Sequence, residues 1–186
     1  KWPLLYGGPF AYNRFMIGIF DSGYGGLTVF KEIAAVLPQY DYVYLGDNAR
    51  TPYGNRDKET IIQFTDEAVR FLFEREAKLI IFACNTVSAV ALREMQEKYL
   101  RNSSSKFRDR KILGVVRPVA EKAIQETRAG KIGVAATRAT VNSNAFEVEL
   151  KNLKPDTTVT QQACPLLVPF IEEHMHEKPE ARMMLR

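Results

Sequence analysis

The chain has 186 residues, 46% of them hydrophobic and 26% charged, with a formal net charge of +4. These values read as an ordinary soluble globular protein, long enough to bury most of its apolar surface in one domain or two small ones. No apolar run is long enough to cross a bilayer, and two cysteines are too few for a disulfide scaffold.

Residues 1–15, KWPLLYGGPFAYNRF, are expected to form an N-terminal extension outside the fold. Pro3, Gly7, Gly8 and Pro9 interrupt the apolar stretch and no small-residue cleavage site follows, so it does not read as a signal peptide. Together with the cysteine usage this points to a reducing, cytoplasmic setting.

From Met16 onward, short β-like runs alternate with helical stretches. The runs are Phe15–Phe20, Tyr42–Leu45, Leu79–Phe82, Ile112–Val116 and Ile132–Ala136, with a weaker one at Val159. They are nearly continuous in apolar residues, as strands buried on both faces are. Leu27, Val29, Phe30, Ile33, Ala34 and Leu37 predict one helix, stopped by Pro38. A second is predicted over Ile61–Phe73, a third over Val87–Tyr99 and a fourth over Val119–Ile124, from three-to-four spacing. Repeated β-α order argues for parallel α/β sheets. The polar stretch Asn102–Ser105 is the expected linker, dividing a first α/β domain over 16–108 from a second over 109–186.

In open parallel sheets, ligands bind at the carboxyl ends of strands, where loops lead into helix N-termini. Three polar motifs fall there. FDSGYGGL follows the first strand: Gly23, Gly25 and Gly26 let backbone amides approach an anion, and Asp21 and Ser22 add a carboxylate and a hydroxyl. The bland reading is a tight turn capped by Asp21 or Ser22. GDNARTPYG follows the second strand, with Tyr53 and Gly54 as candidate pocket residues or simply a turn. ACNT follows the third strand. A thiol at a helix N-terminus is expected to ionise more readily, and Asn85 and Thr86 supply an amide and a hydroxyl beside Cys84. An inert, packed cysteine is the alternative there.

Taken together, FDSGYGGL, TPYG and ACNTVSA resemble the signatures of the glutamate racemase family. KIGVAATRATVNSNAF resembles that family's second-domain strand and Thr-rich loop, and ACPLLVPFIEE a structural segment after it. The resemblance implies two pseudo-symmetric parallel-sheet α/β domains of the aspartate/glutamate racemase type, here with the second incomplete. It implies cofactor-independent interconversion of L- and D-glutamate, supplying D-glutamate for peptidoglycan, with two thiols acting on opposite faces of the substrate Cα. Carried over, Cys84 is one acid/base. Asp21, Ser22, Tyr53, Gly54, Asn85 and Thr86 bind substrate, Asp21 also assists proton transfer, and Thr137 and Thr140 are further contacts. Selectivity for glutamate over aspartate stays open.

The family's second cysteine sits in a Gly-Cys-Thr-His-Tyr-Pro-type motif that these 186 residues do not contain. Cys164, in ACPLL, matches the structural segment instead. The chain therefore reads as truncated and unable to racemise alone, with an open sheet edge expected to promote dimers or aggregation. Two other readings stand beside it: a nucleotide- or phosphate-binding α/β protein using the glycine loop, and a non-catalytic binding module on a racemase scaffold. The basic cluster Arg101–Lys111 reads as a solvated loop, so no nucleic-acid partner is expected. His174 and His176 read as a solvated helix end rather than a metal site. No cofactor is expected.

Overall fold

The computed structural model describes the backbone of residues 4–5 together with residues 15–102 and 105–181. In chain order the elements are β1 (Leu4–Leu5), β2 (Met16–Asp21), α1 (Gly26–Val36), β3 (Asp41–Gly46), α2 (Lys58–Glu74), β4 (Leu79–Phe82), α3 (Asn85–Val90), α4 (Leu92–Gln96), β5 (Lys111–Gly114), α5 (Val116–Glu126), β6 (Lys131–Ala136), α6 (Arg138–Asn142), α7 (Ala145–Leu153), β7 (Thr158–Ala163) and α8 (Leu167–Glu172). The fold is α/β, with two sheets.

The first sheet has the order β1-β3-β2-β4-β5. All its pairings are parallel except β1 with β3, where Leu4 faces Leu45. The expected N-terminal extension otherwise lies outside the described residues, save Phe15; at Leu4–Leu5 it belongs to the sheet. β2 runs Ile17 to Asp21 without an exposed or half-exposed residue, as a strand covered on both faces must. One face carries the larger core, in which Phe20, Leu45, Ile61, Leu72, Phe73, Ile80 and Phe82 are fully buried. The other face packs Ile17, Ile19 and Tyr44 against α1 residues Leu27, Phe30 and Ile33.

α2 shows why the pattern folds as it does. Ile61, Thr65, Ala68, Val69, Leu72 and Phe73 recur at helical spacing and all are buried. Asp57 caps the start by accepting the Thr60 amide at 2.8 Å. The expected helix over Val87–Tyr99 instead comes in pieces: α3, α4 and a wide π-turn over Glu97–Arg101. The path kinks at Ala91 rather than stopping, since the Ala91 amide donates to Val87 O and Ala91 O accepts from Met95 N.

Two sequence expectations are corrected. β5 pairs with β4 in register from Leu79↔Lys111 to Phe82↔Gly114, so the first sheet continues past the expected boundary at 108/109. Hydrogen bonding to β4 outweighs the break suggested by the serine-rich stretch, of which Ser103 and Ser104 lie outside the described residues. The basic cluster is not simply solvated either: Arg110 donates to Ala77 O at 2.6 Å and pairs with Glu76 at 3.0 Å, fastening the entry of β5 to the entry of β4.

The second sheet is the parallel pair β6 and β7, in register from Lys131↔Thr158 to Ala136↔Ala163. Neither strand contains a buried residue. Its packing is carried by α5 and α7 through Val116, Ala120, Phe146 and Leu150. Glu149 of α7 pairs with Arg117 of α5 at 3.0 Å within the second unit and reaches Arg93 of α4 at 3.5 Å, tying that unit to the first by charge. No helix among the described residues is long and apolar enough to cross a membrane.

Phe73 is fully buried, with its ring 5.7 Å from that of Tyr99 and 5.0 Å from that of Phe107. Phe73→Ala is expected to cost about 3–5 kcal/mol of unfolding free energy, read by urea titration. The substitution Lys151→Ala, at a half-exposed (51%) side chain paired to Glu147 within one helix, is expected to change stability by less than about 1 kcal/mol.

Candidate active site

Parallel pairing in register brings the ends of β2, β3 and β4 to one edge of the sheet. Asp21 closes β2 opposite Gly46 of β3, and Phe20 lies opposite Phe82 of β4, two residues before Cys84. The Asp47 amide extends the ladder by donating to Asp21 O at 3.1 Å, and the Ala83 amide donates to Phe20 O at 2.8 Å. The three motifs singled out in the sequence therefore meet.

Asp21 is buried, and its carboxylate accepts the Gly23 amide at 2.8 Å. Burial pushes the Asp21 carboxyl above its ordinary value, and the amides of Gly23, Gly26 and Ser22 draw it partly back. The glycine loop thus serves the protein's own carboxylate, although neither Asp21 nor Ser22 caps α1, whose N-cap is Gly25 with no side-chain cap hydrogen bond. Gly26 has to lack a side chain, because a Cβ there would lie 2.6 Å from Asp21 Cβ and 3.0 Å from Ala83 Cβ. Tyr44 fastens the loop from below, its hydroxyl donating to Gly23 O at 3.0 Å.

Cys84 stands at the N-cap of α3 and is 8% exposed. Its Sγ lies 3.4 Å from Ser22 Oγ. The expected easy ionisation is not found. Burial pushes the thiol up, the Asp21 charge adds to this, and the hydrogen bonds from Ser22 and the Val87 amide lower it only in part. A six-residue helix offers a weak dipole, and desolvation of the sulfur wins. Ser22 is half-buried and Asn85 exposed, so the site meets solvent at these two residues.

Thr86, Thr137 and Thr140 converge as a hydroxyl triangle, with separations of 3.0 Å (Thr86–Thr137), 2.9 Å (Thr137–Thr140) and 3.3 Å (Thr140–Thr86). Thr137 also caps α6. The triangle joins the first unit to the second beside the active edge. Gly54 adds to this seam: its carbonyl accepts the Ala139 amide at 3.0 Å, and a Cβ on it would lie 2.5 Å from Thr137 Cγ2. Tyr53 is 1% exposed, its ring is packed against Phe20 and Phe64, and its hydroxyl donates to Asp47 at 2.5 Å. The Tyr53 side chain is thus part of the core beneath the site.

Two cavities adjoin this region. One of about 340 Å³ is lined by Asn85, Thr137 and Thr140 together with apolar residues of α5, β6 and α7. Another, of about 470 Å³, lies between α3, α5 and α7. Cys84, Asp21 and Ser22 line neither. Among the described residues no group of three or more His, Cys, Asp or Glu side chains is arranged to hold a metal ion. His174 and His176 flank an exposed turn near Glu177, at 3.7 and 3.9 Å.

Sequence reasoning missed two acids. Asp47 is 3% exposed and holds both Tyr53 and Arg50. It follows β3 as Asp21 ends β2, so the strand-end logic applied to Asp21 points to it as well. Glu172, at the end of α8, has its carboxyl raised by burial and next by Asp21, which brings the C-terminal helix within electrostatic reach of the site. Nothing local in the sequence signals that proximity.

Two outcomes are expected. When the pH dependence of Cys84 alkylation by iodoacetamide is followed by peptide mass in a Cys164→Ser background, Asp21→Asn moves the profile to lower pH and Ser22→Ala to higher pH. Shifts of one sign in both variants would contradict the assigned causes. Gly54→Ala is expected to cost about 1–3 kcal/mol through overpacking on Thr137, read by urea titration.

No family model matches the chain. It is 42% identical to a glutamate racemase of Geobacter metallireducens over 170 residues, covering 91% of this chain and 60% of that protein. A glutamate racemase isoform of Bacillus anthracis has the same fold with a TM-score of 0.77 and 40% identity, over 87% of this chain and 57% of that one. The Francisella tularensis glutamate racemase, solved in complex with D-glutamate, matches with a TM-score of 0.77 and 36% identity over the same shares. By sequence and by fold this chain is a relative of the glutamate racemases, and it spans about three-fifths of the length of the relatives it matches.

Proposed function

We propose that this chain carries one face of a cofactor-independent glutamate racemase site, with Cys84 as the acid/base of that face. The observation that carries the reading is the placement of Cys84 Sγ 3.4 Å from Ser22 Oγ and beside the buried Asp21, at the ends of adjacent parallel strands. It is supported by the 40–42% identity to proteins named glutamate racemases. The complex of the Francisella protein with D-glutamate supports a small amino acid as ligand.

Abstracting a proton beside a carboxylate needs a positioned base and donors where negative charge develops. The raised thiol holds its proton near neutrality, which suits Cys84 to return a proton to the substrate Cα. In the opposite direction it first gives that proton up, and Asp21, the neighbouring carboxylate whose charge acts on the thiol and whose own affinity for a proton is raised, accepts it. The thiolate then takes the Cα proton to re-form the S–H bond, and a second thiol delivers a proton to the other face. These 186 residues supply one of the two thiol motifs that the resemblance requires. Ser22 and Asn85 bind substrate at the solvent-facing rim, with Thr86, Thr137, Thr140 and the Tyr53-Gly54 backbone forming the wall behind them. The same reading places the protein in the cytoplasm, in supply of D-glutamate for peptidoglycan. It also includes association of two copies as a homodimer. The glycine loop does not favour a phosphate ligand, because the Gly23 amide is taken by Asp21.

The test is incubation of this chain with L-glutamate in deuterium oxide, following α-deuteration by NMR and inversion by chiral chromatography. Slow α-deuteration without appreciable D-glutamate is expected, and Cys84→Ser is expected to abolish it. Deuteration that survives Cys84→Ser would overturn the assignment.

A further inference from the structure

We propose that Asp47 is a positioning residue that holds the Asp21 loop and the Tyr53-Gly54 turn in one fixed arrangement at the edge of the candidate site. Its backbone and side chain act on different parts. The Asp47 amide donates to Asp21 O at 3.1 Å, continuing the β2–β3 ladder one residue beyond the paired strands. Its Oδ2 accepts from the Tyr53 hydroxyl and from Arg50 Nε, both at 2.5 Å. Arg50 is fixed in turn by Glu67 at 2.6 Å and lies over the Phe64 ring at 4.0 Å. The carboxylate is 3% exposed, so it is held by these partners rather than by water.

The consequence runs one residue further along the chain. With the Tyr53 ring packed on Phe20 and Phe64 and its hydroxyl anchored, the following Gly54 carbonyl is fixed where it receives the Ala139 amide at 3.0 Å. Ala139 directly precedes Thr140 of the hydroxyl triangle. One buried carboxylate therefore links the loop that carries Asp21 and Ser22 to the seam that carries Thr86, Thr137 and Thr140. Its position after β3 makes it the only acid at these strand ends, among the described residues, that bonds both a tyrosine and an arginine. The link rests on the racemase reading only for what it serves; the geometry stands without it.

The test compares Tyr53→Phe and Asp47→Asn with the unaltered chain by amide hydrogen exchange, read at Ala139, Gly23 and, as a core reference, Leu72. Loss of one buried hydrogen bond corresponds to a change of about tenfold. Tyr53→Phe is expected to speed exchange at Ala139 about tenfold, leaving Gly23 and Leu72 unchanged. Asp47→Asn is expected to speed Ala139 and Gly23 together and to accelerate Cys84 alkylation at about pH 8, near the ordinary thiol value, as the Asp21 loop loosens. A purely stabilising role would move Leu72 with the others and leave the alkylation rate alone. That pattern, or an Ala139 rate unchanged in Tyr53→Phe, overturns the proposal. If Asp47→Asn does not fold, Tyr53→Phe decides alone. Failure of the racemase reading, seen as deuteration of glutamate independent of Cys84, leaves the exchange pattern as predicted.

Discussion

The site depends on a buried negative charge. Asp21 sits at the end of a strand with no exposed residue from Ile17 onward, where water cannot satisfy it. A buried carboxylate survives only with donors around it. The glycine loop provides them by turning its amides back onto Asp21, and this fixes the loop's path, the need for a bare Cα at Gly26, and the approach of Ser22 to Cys84. The thiol inherits its chemistry from the same burial: low solvent exposure and a neighbouring anion both favour the protonated form. A loop that looks designed for an external anion is shaped first by an internal one.

The two units meet through different kinds of contact. Beside the site the seam is neutral and short-range, made of three threonine hydroxyls and the Gly54 carbonyl. Farther out it is ionic, made by Glu149, held by Arg117 of its own unit, reaching Arg93. The first sheet owns nearly all of the deep core, whereas β6 and β7 show alternating exposed and half-buried residues. Rigidity is thus concentrated where Asp21 and Cys84 are placed.

Much of this was legible in the residues. The runs at β2, β3 and β4 were readable because strands covered on both faces are continuously apolar, and the motif at each strand end followed from where parallel sheets present their loops. β7 was faint because TVTQQA lies in a sheet with neither face fully covered, leaving no burial pattern to read. The short helices α6, α7 and α8 went unpredicted, since their packing against α5 and the seam sets them more than their own periodicity does. The division of the chain was misplaced because a polar stretch signals a loop, not which sheet the next strand joins; β5 was claimed by β4 through hydrogen bonds no local pattern encodes. The sign of the Cys84 shift failed for a similar reason. Position at a helix start is visible in sequence, but burial depth and the Asp21 neighbour are products of the assembled fold.

The ionic flank carries a consequence of its own. Arg93 and Glu149 are 75% and 21% exposed, so their attraction is felt partly through water and fades as counterions accumulate. The threonine seam is uncharged and does not respond to salt in this way. Raising ionic strength therefore weakens the ionic side of the junction and leaves the hydroxyl side as it is, so the salt sensitivity of this contact is confined to its outer flank.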